Sequence, residues 1–379
     1  RHTISLCDWS SDVCSSDLYE NVISFAVGEP DFATPSHIVS ACVKAIYEGK
    51  TGYAPNSGIP ELKKAISDHI YNTHGVRYDW NKEVLVTAGG MNALRSAIEA
   101  LIDPGDEVII PNPYWCNHKN HPIMALGKAV EVPVHEEDNF MYNVNTLERY
   151  VTGRTKLIVL NSPSNPTGCV IDEETLEKLC EFCISHDLMI LSDEVYQHII
   201  YDGKKFLSPV MIDGMKERTI ICNSLSKCYS MTGWRLGYAL GPANIISAML
   251  RINENTIAAA PTFVQYAGVA ALRGPQECVG NMVEAFQRRR DIVYERINAI
   301  DKLRCIKPQG AFYAFVDITQ TGLSSEAFCR RLLQEQQVTA IPGDGFGDAG
   351  SGYIRISFAL SEDELIQGLD RIEKLVKSL

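Results

Sequence analysis

The segment from Ser224 to Tyr238, SLSKCYSMTGWRLGY, places one lysine among groups that bind phosphate. Ser224 and Ser226 precede Lys227, and Arg235 follows it by eight residues. Hydroxyls and a guanidinium hold a phosphate monoester, and a lysine amine between them can form an imine with an aldehyde. A surface lysine beside a turn would have the same local sequence, so the segment alone leaves both interpretations open.

Two further polar residues follow apolar runs. Asp193 ends the run LMILS, where a carboxylate must be hydrogen-bonded or paired with a cation, although a helix cap would also explain it. Tyr196 comes three residues later and could share its site. Asn165 lies in the turn-rich NSPSNPTG after the run KLIVL, where it could present an amide to a ligand or simply form a loop.

Arg355 occupies an alternating segment, YIRISF. The period of two places Arg355 with Tyr353 and Ser357 on one face, where an arginine is either a solvated charge or a grip for a carboxylate. Together with the aromatic Trp115 and the glycines of TAGG before a helix, these residues offer a phosphate site, an amine, a stacking ring and a carboxylate. That set of groups is typical of a pyridoxal phosphate site.

The elements that position these residues alternate between strands and helices from residue 83 to 240. Near-continuous apolar strands separated by helices predict an α/β fold with a mainly parallel sheet covered on both faces. Ligands bind outside the carboxyl ends of such strands, which is where the candidate residues lie. We expect a large domain over residues 45–275, a smaller α/β domain over 276–379, and an N-terminal contribution to the small domain from residues 19–44.

Composition narrows the partners and the compartment. The chain of 379 residues has 35 basic and 47 acidic side chains, a net charge of -12 that disfavours nucleic acid, and no apolar run long enough to span a membrane. Its cysteines are scattered, which predicts a reducing cytoplasm. The Cys180–Cys183 pair is spaced as a buried helical stripe rather than a redox pair.

Two motifs resemble ligand sites but lack the required context. GFGDAG, from Gly345 to Gly350, matches a dinucleotide fingerprint but precedes a strand, so we do not expect it to bind NAD and interpret it as a mobile connection. Cys116, His118 and His121 have no matching Cys/His pair downstream, so no metal site is predicted there.

The first 18 residues have no helical or strand periodicity. Residues 7–18 match the translation of a sequencing-library adapter in one reading frame. We therefore expect this segment to be non-native and the fold to begin near Tyr19.

Six motifs occur here in the order found in one enzyme family: AVGEPDF, GYAPNSGIPEL, NPYW, NSPSNPTG, SDEVY and YIRISFA. With SLSKCYSMTGWRLGY, they make the chain from about Val22 onward resemble the class I and II aminotransferases, pyridoxal-phosphate enzymes of fold type I. The most similar branch contains bacterial aspartate and aromatic aminotransferases.

The resemblance implies a role for each matching residue. Lys227 would form the Schiff base, with Asp193 on the ring nitrogen and Tyr196 and Asn165 on the phenolic oxygen. Trp115 would stack on the ring. The phosphate ligands would be Ser224, Ser226, Arg235 and the backbone amides of Gly90 and Met91. Tyr53 would reach the phosphate of a partner subunit, which implies a homodimer. Arg355 would bind the substrate α-carboxylate near Gly28, Trp115 and Asn165.

The implied reaction moves the amino group of an L-amino acid to a 2-oxo acid, with 2-oxoglutarate expected, by a ping-pong mechanism. Met91 stands where related aspartate enzymes can have a lysine, and ENTIAAAPT supplies no arginine from a partner. The donor is therefore expected to be neutral or aromatic. The alternatives are a carbon–sulfur β-lyase of the same fold and a non-catalytic sensor. The sensor is disfavoured because no basic helix-turn-helix segment precedes Val22 and the residues for catalysis are intact.

Overall fold

A seven-stranded sheet forms the centre of the larger part of the chain, in the strand order β2-β8-β7-β6-β5-β3-β4. The computed structural model describes residues 21–379, so the predicted adapter-derived segment, residues 1–18, lies outside the described residues. The strands of the molecule are β1 (Ile23–Ser24), β2 (Val84–Thr87), β3 (Glu107–Asn112), β4 (Lys128–Pro133), β5 (Thr155–Asn161), β6 (Met189–Asp193), β7 (Thr219–Ser224), β8 (Gly237–Leu240), β9 (Arg304–Cys305), β10 (Tyr313–Asp317), β11 (Val338–Thr339), β12 (Ile341–Pro342) and β13 (Tyr353–Ser357).

The predicted mainly parallel α/β sheet is confirmed. Strands β3 to β7 pair in parallel, and only β8 runs antiparallel to its neighbours β2 and β7. The edge strand β2 and the central strands β6 and β7 are almost wholly buried, because helices cover both faces of the sheet. The α-helices are α1 (Ser36–Tyr47), α2 (Pro60–His74), α3 (Gly90–Leu101), α4 (Cys116–Met124), α5 (Val144–Leu147), α6 (Glu173–Ser185), α7 (Ala243–Thr256), α8 (Thr262–Arg273), α9 (Glu277–Asn298), α10 (Ser325–Gln336) and α11 (Glu362–Lys377).

The C-terminal part has its own antiparallel sheet, in the order β12-β13-β10-β9, covered by α9, α10 and α11. Its core also takes in Ile23 and Phe25, since β1 pairs in parallel with β11. Helix α1, in contrast, packs against α8 in the larger part. The division at residues 44/45 and 275/276 remains a prediction.

Parallel pairing brings the carboxyl ends of neighbouring strands together. Asn161 at the end of β5 lies opposite Asp193 at the end of β6, and Asp193 lies opposite Cys222 in β7, two residues before Ser224. The polar residues that follow these strands therefore meet at one edge of the sheet, as the sequence predicts.

Cys180 and Cys183 are both fully buried in α6, and neither forms a disulfide. Burial raises the pKa of both thiols, to about 12 for Cys180, so the stripe is unreactive at neutral pH. Within residues 21–379, no helix has the length and apolar character needed to cross a membrane.

Candidate active site

A cleft of about 280 Å³ opens at the carboxyl ends of the parallel strands. Of the residues predicted for the site, all but Tyr53 line it: Gly28, Gly90, Met91, Trp115, Asn165, Asp193, Tyr196, Ser224, Ser226, Lys227, Arg235 and Arg355. These residues come from the N-terminal segment, from the carboxyl ends of the large sheet's strands and the segments after them, and from β13. The fold therefore brings together positions more than 300 residues apart in sequence. Tyr53 is 98% exposed on the surface.

Asp193 is 4% exposed and receives a hydrogen bond of 3.0 Å from His118 Nε2 to its Oδ2 atom. His118 is itself 1% exposed and lies in α4, which begins directly after Trp115. The bond orients both the buried carboxylate and the imidazole. The indole of Trp115 packs edge-to-face against the imidazole, with the ring centroids 5.5 Å apart. His118 is thus a supporting residue of the site, which the sequence analysis considered only as a metal ligand.

The loop after β5 is fastened to the end of β6 through Asn161. Its Nδ2 donates to the Asp193 backbone carbonyl at 3.2 Å, and its Oδ1 accepts from the Asn165 N–H at 2.9 Å. Asn165 Oδ1 in turn accepts from Arg355, which orients the amide so that its Nδ2 can serve as a donor to a ligand in the cleft.

Lys227 follows β7 and extends its amine into the cleft, where it donates to the backbone carbonyl of Gly28. Burial lowers the pKa of this amine to about 8, with Glu29 opposing the shift and the Arg355 guanidinium adding to it. A lysine with this pKa is a neutral nucleophile in about half of the molecules at pH 8. The geometry therefore supplies a reactive amine rather than a surface charge.

One end of the cleft is a cradle for an anion. Ser224 Oγ donates to Ser226 Oγ at 2.7 Å, and helix α3 begins at Gly90 with its backbone N–H groups at the same end. The guanidinium of Arg235 lies at this end too, next to Gly89, the residue before α3. A Cβ atom added at Gly89 would lie only 2.8 Å from Arg235 Nη2. Gly89 also has φ +84°, so only glycine allows the backbone to approach the guanidinium in this way.

Arg355 is 1% exposed, which excludes the alternative that it is an ordinary solvated charge on β13. Its Nη1 donates to Asn165 Oδ1 at 3.0 Å and its Nη2 to the Ala26 carbonyl at 2.8 Å. The guanidinium stacks over the rings of Tyr313, at 4.4 Å, and Phe346, at 5.2 Å. These contacts hold a cation at the wall of the cleft although burial lowers its pKa.

Two tyrosine hydroxyls meet at the wall of the cleft that also carries Arg355. Tyr196 Oη and Tyr313 Oη are 2.8 Å apart, and burial raises the pKa of both, which keeps both protonated. Tyr313 also limits the space at Gly28, where an added Cβ would come within 2.7 Å of its hydroxyl. Sequence analysis missed Tyr313, whose only signal is a tyrosine in a buried strand that needs a partner for its hydroxyl.

The two motifs that were set aside have structural roles. The GFGDAG segment packs against the end of β3, where Tyr114 N donates to the Phe346 carbonyl at 2.9 Å and Ala349 N donates to Asn112 Oδ1 at 3.2 Å. It carries Phe346, the ring under Arg355. Within residues 21–379, no group of three or more His, Cys, Asp or Glu side chains is arranged to hold a metal ion.

Residues 20–372 match the family model described as aminotransferase class I and II. The chain is 42% identical over 360 residues to an aspartate aminotransferase of Pyrococcus abyssi, covering 94% of this chain and 92% of that protein. It is 41% identical, with the same coverage, to aromatic-amino-acid aminotransferase 2 of Thermococcus litoralis. The crystal structure of the aspartate aminotransferase from Rhizobium meliloti superposes with a TM-score of 0.95 at 37% identity, covering 99% of this chain and 97% of that one.

Proposed function

The chain belongs to the class I and II aminotransferases, a family of pyridoxal-phosphate-dependent transaminases of fold type I, and we propose that it transfers the amino group of an L-amino acid to 2-oxoglutarate in a ping-pong reaction. One observation carries this proposal: Lys227, Asp193 and Arg355, from distant parts of the chain, line a single cleft. An amine nucleophile, a buried carboxylate and a guanidinium are the groups that the reaction requires.

The donor set of the cleft fits pyridoxal phosphate. The serine hydroxyls, the start of α3 and Arg235 suit a phosphate dianion, and Asp193, oriented by His118, suits a protonated ring nitrogen. Asn165 and the neutral Tyr196 can donate to the ring's phenolic oxygen, while Trp115 offers a face for stacking. When bound, pyridoxal phosphate supplies a ring that accepts the electrons left on the substrate α-carbon.

Lys227 has two tasks in this proposal. Its Nζ would hold the aldehyde end of pyridoxal phosphate covalently. When it does not hold the cofactor, the same amine would be the base that takes up and returns the proton of the substrate α-carbon, a role typically worth about 10²–10⁴-fold in rate. A pKa of about 8 suits both tasks, because the amine can accept and return a proton near neutral pH.

Arg355 is proposed to bind the substrate α-carboxylate, with Gly28 leaving room for the substrate's backbone atoms. Hydrogen bonds to Asn165 and Ala26 hold its fork in place before substrate arrives, so little side-chain entropy is lost on binding. Among the described residues that line the cleft, the other cations are Lys227 and Arg235, which have their own partners in this proposal. An amino acid with a neutral or aromatic side chain is therefore favoured over aspartate as the amino donor. The second carboxylate of 2-oxoglutarate must then be bound by uncharged hydrogen-bond donors of the protein.

A homodimer is also proposed, with Tyr53 completing the phosphate site of the partner. Tyr53 is 98% exposed, and the outer face of α1 exposes Val39, Val43 and Tyr47 around one shallow groove. Exposed apolar groups of this kind support an interface. The ten cysteines in residues 21–379 are all free, which supports a reducing, cytoplasmic location.

The test is a panel of amino donors incubated with purified enzyme, pyridoxal phosphate and 2-oxoglutarate. We expect glutamate and a new 2-oxo acid in equal amounts, with faster turnover of phenylalanine or tyrosine than of aspartate. Oxaloacetate and pyruvate as alternative acceptors test the choice of 2-oxoglutarate. Pyruvate released from a cysteine conjugate without an acceptor would support the β-lyase instead, and absence of turnover with every donor would contradict the proposal.

A further inference from the structure

A second cluster of reactive side chains lies outside the cleft, between α2 and the segment after β6. His69 Nε2 and His198 Nε2 are 3.1 Å apart, and the amide nitrogen of Gln197 lies 3.1 Å from the first and 2.9 Å from the second. None of these three residues lines the cleft, and the proposed reaction uses none of them.

The two imidazoles have the spacing of neighbouring metal ligands. With metal–nitrogen bonds of about 2.0–2.1 Å, a pair of nitrogens 3.1 Å apart subtends about 95–100° at the ion. That angle lies between the values of octahedral and tetrahedral coordination. The third atom, from Gln197, is nearly equidistant from both nitrogens, so the three atoms form the base of a tripod.

Gln197 supplies the observation that points to a ligand. Its side chain is 5% exposed, and its Oε1 has no hydrogen-bond partner although it is buried. The atom now between the two rings is Nε2; a half-turn of the amide would place the carbonyl oxygen there and move Nε2 to the buried position that has no partner. An amide oxygen there can accept from one ring N–H or coordinate a cation.

Both histidines are available to a cation. Both residues are partly exposed to solvent, whereas Gln197 is buried. A neutral imidazole binds a metal through one ring nitrogen, so each ring would carry its proton on Nδ1 when its Nε2 binds a metal.

We propose that His69, His198 and Gln197 form a binding site for one divalent transition metal ion of the Zn²⁺ class, with the two Nε2 atoms as its main ligands. The amide oxygen of Gln197 is the third ligand, and water fills the remaining positions. Imidazole nitrogen selects Zn²⁺, Ni²⁺ or Cu²⁺ over Mg²⁺ and Ca²⁺, which prefer oxygen ligands. The simpler interpretation is a hydrogen-bonded triad with no affinity for metal.

The test measures Zn²⁺ binding to tag-free, cofactor-loaded, metal-stripped protein by competition with a chromogenic chelator at pH 7.5. The variants are His69→Ala, His198→Ala and Gln197→Glu, and the matched control is His186→Ala, which removes a histidine that pairs with Glu148 elsewhere on the surface. We expect the wild type to bind one Zn²⁺ per chain. Either alanine variant should bind this ion about 10–100-fold more weakly than the wild type does. The control should retain that ion.

Gln197→Glu replaces the amide by a carboxylate of the same shape and should bind Zn²⁺ more tightly than the wild type. If the alanine variants lose their cofactor absorbance or do not fold, Gln197→Glu still tests the proposal. Excess Mg²⁺ should not displace the ion. Equal Zn²⁺ affinity in the wild type and both alanine variants, no Zn²⁺ binding at all, or no gain in Gln197→Glu would overturn the proposal.

Discussion

His118→Phe tests whether the orientation of Asp193 matters for the reaction. Phenylalanine keeps a ring in α4 and its edge contact with Trp115, but it removes the 3.0 Å hydrogen bond to Asp193 Oδ2. The carboxylate would keep only a long contact of 3.4 Å from Val195 N and the ring nitrogen of the cofactor. No other change to the cleft is expected.

The magnitude follows from the burial of the pair. Both side chains are at most 6% exposed, so water cannot replace the lost donor, and a hydrogen bond to a charged group is worth about 1.5–3 kcal/mol. If this free energy is lost in the transition state, kcat falls by about 10–100-fold. A carboxylate that is less well held also binds the ring nitrogen less firmly, so retention of pyridoxal phosphate should weaken.

The assay compares kcat and the cofactor dissociation constant of His118→Phe with those of His121→Phe. His121 lies in the same helix and is equally buried, but it makes no hydrogen bond to Asp193. The control should keep nearly full activity. Equal losses in both variants would show that the effect comes from repacking of α4, and full activity in His118→Phe would refute the positioning role.

Three further predictions concern neighbouring residues. Arg355→Lys should raise KM for the amino donor by about 10–100-fold while cofactor binding stays unchanged, because lysine cannot form two parallel bonds to a carboxylate; an unchanged KM would contradict this. Gly89→Ala should cost about 1–3 kcal/mol and weaken cofactor retention, since φ is +84° and the new Cβ meets Arg235, whereas Gly233→Ala, with open space around it, serves as the unaffected control in thermal unfolding. Burial lowers the pKa of His121 from 6.5 to about 4, so the unfolded chain binds the extra proton first and stability falls as pH drops from about 6.5 to 4, by up to about 1.4 kcal/mol per pH unit. His121→Phe should reduce that slope in pH-dependent denaturant unfolding, because His69 and His198, whose pKa values burial also lowers, remain; an identical slope would refute the assignment.

Much of the site follows from strand ends alone. Asn165, Asp193 and Lys227 each come after an apolar run, and parallel strands carry such positions to one edge of the sheet. The apolar runs KLIVL and LMILS form most of β5 and β6, within the alternation of strands and helices that the sequence predicts. Local patterns are sufficient for these features because burial on both faces leaves a strong sequence signal.

Other features depend on contacts between distant residues, which no local pattern records. His118 is 75 residues from Asp193, and Tyr313 is 117 residues from Tyr196. Arg355 follows an alternating pattern that predicts a half-exposed strand, yet the packing of the GFGDAG segment and Asn165 buries it. Whether an alternating polar face meets water or another part of the chain is a tertiary property.

The central claim is that Lys227 carries the cofactor. Borohydride reduction of the pyridoxal-phosphate-loaded enzyme fixes the carbon–nitrogen bond between lysine and cofactor, and peptide mass mapping then locates it. We predict stoichiometric label on the peptide that contains Lys227 and none in Lys227→Ala. Label on a different lysine, or equal labelling of the variant, would contradict the account.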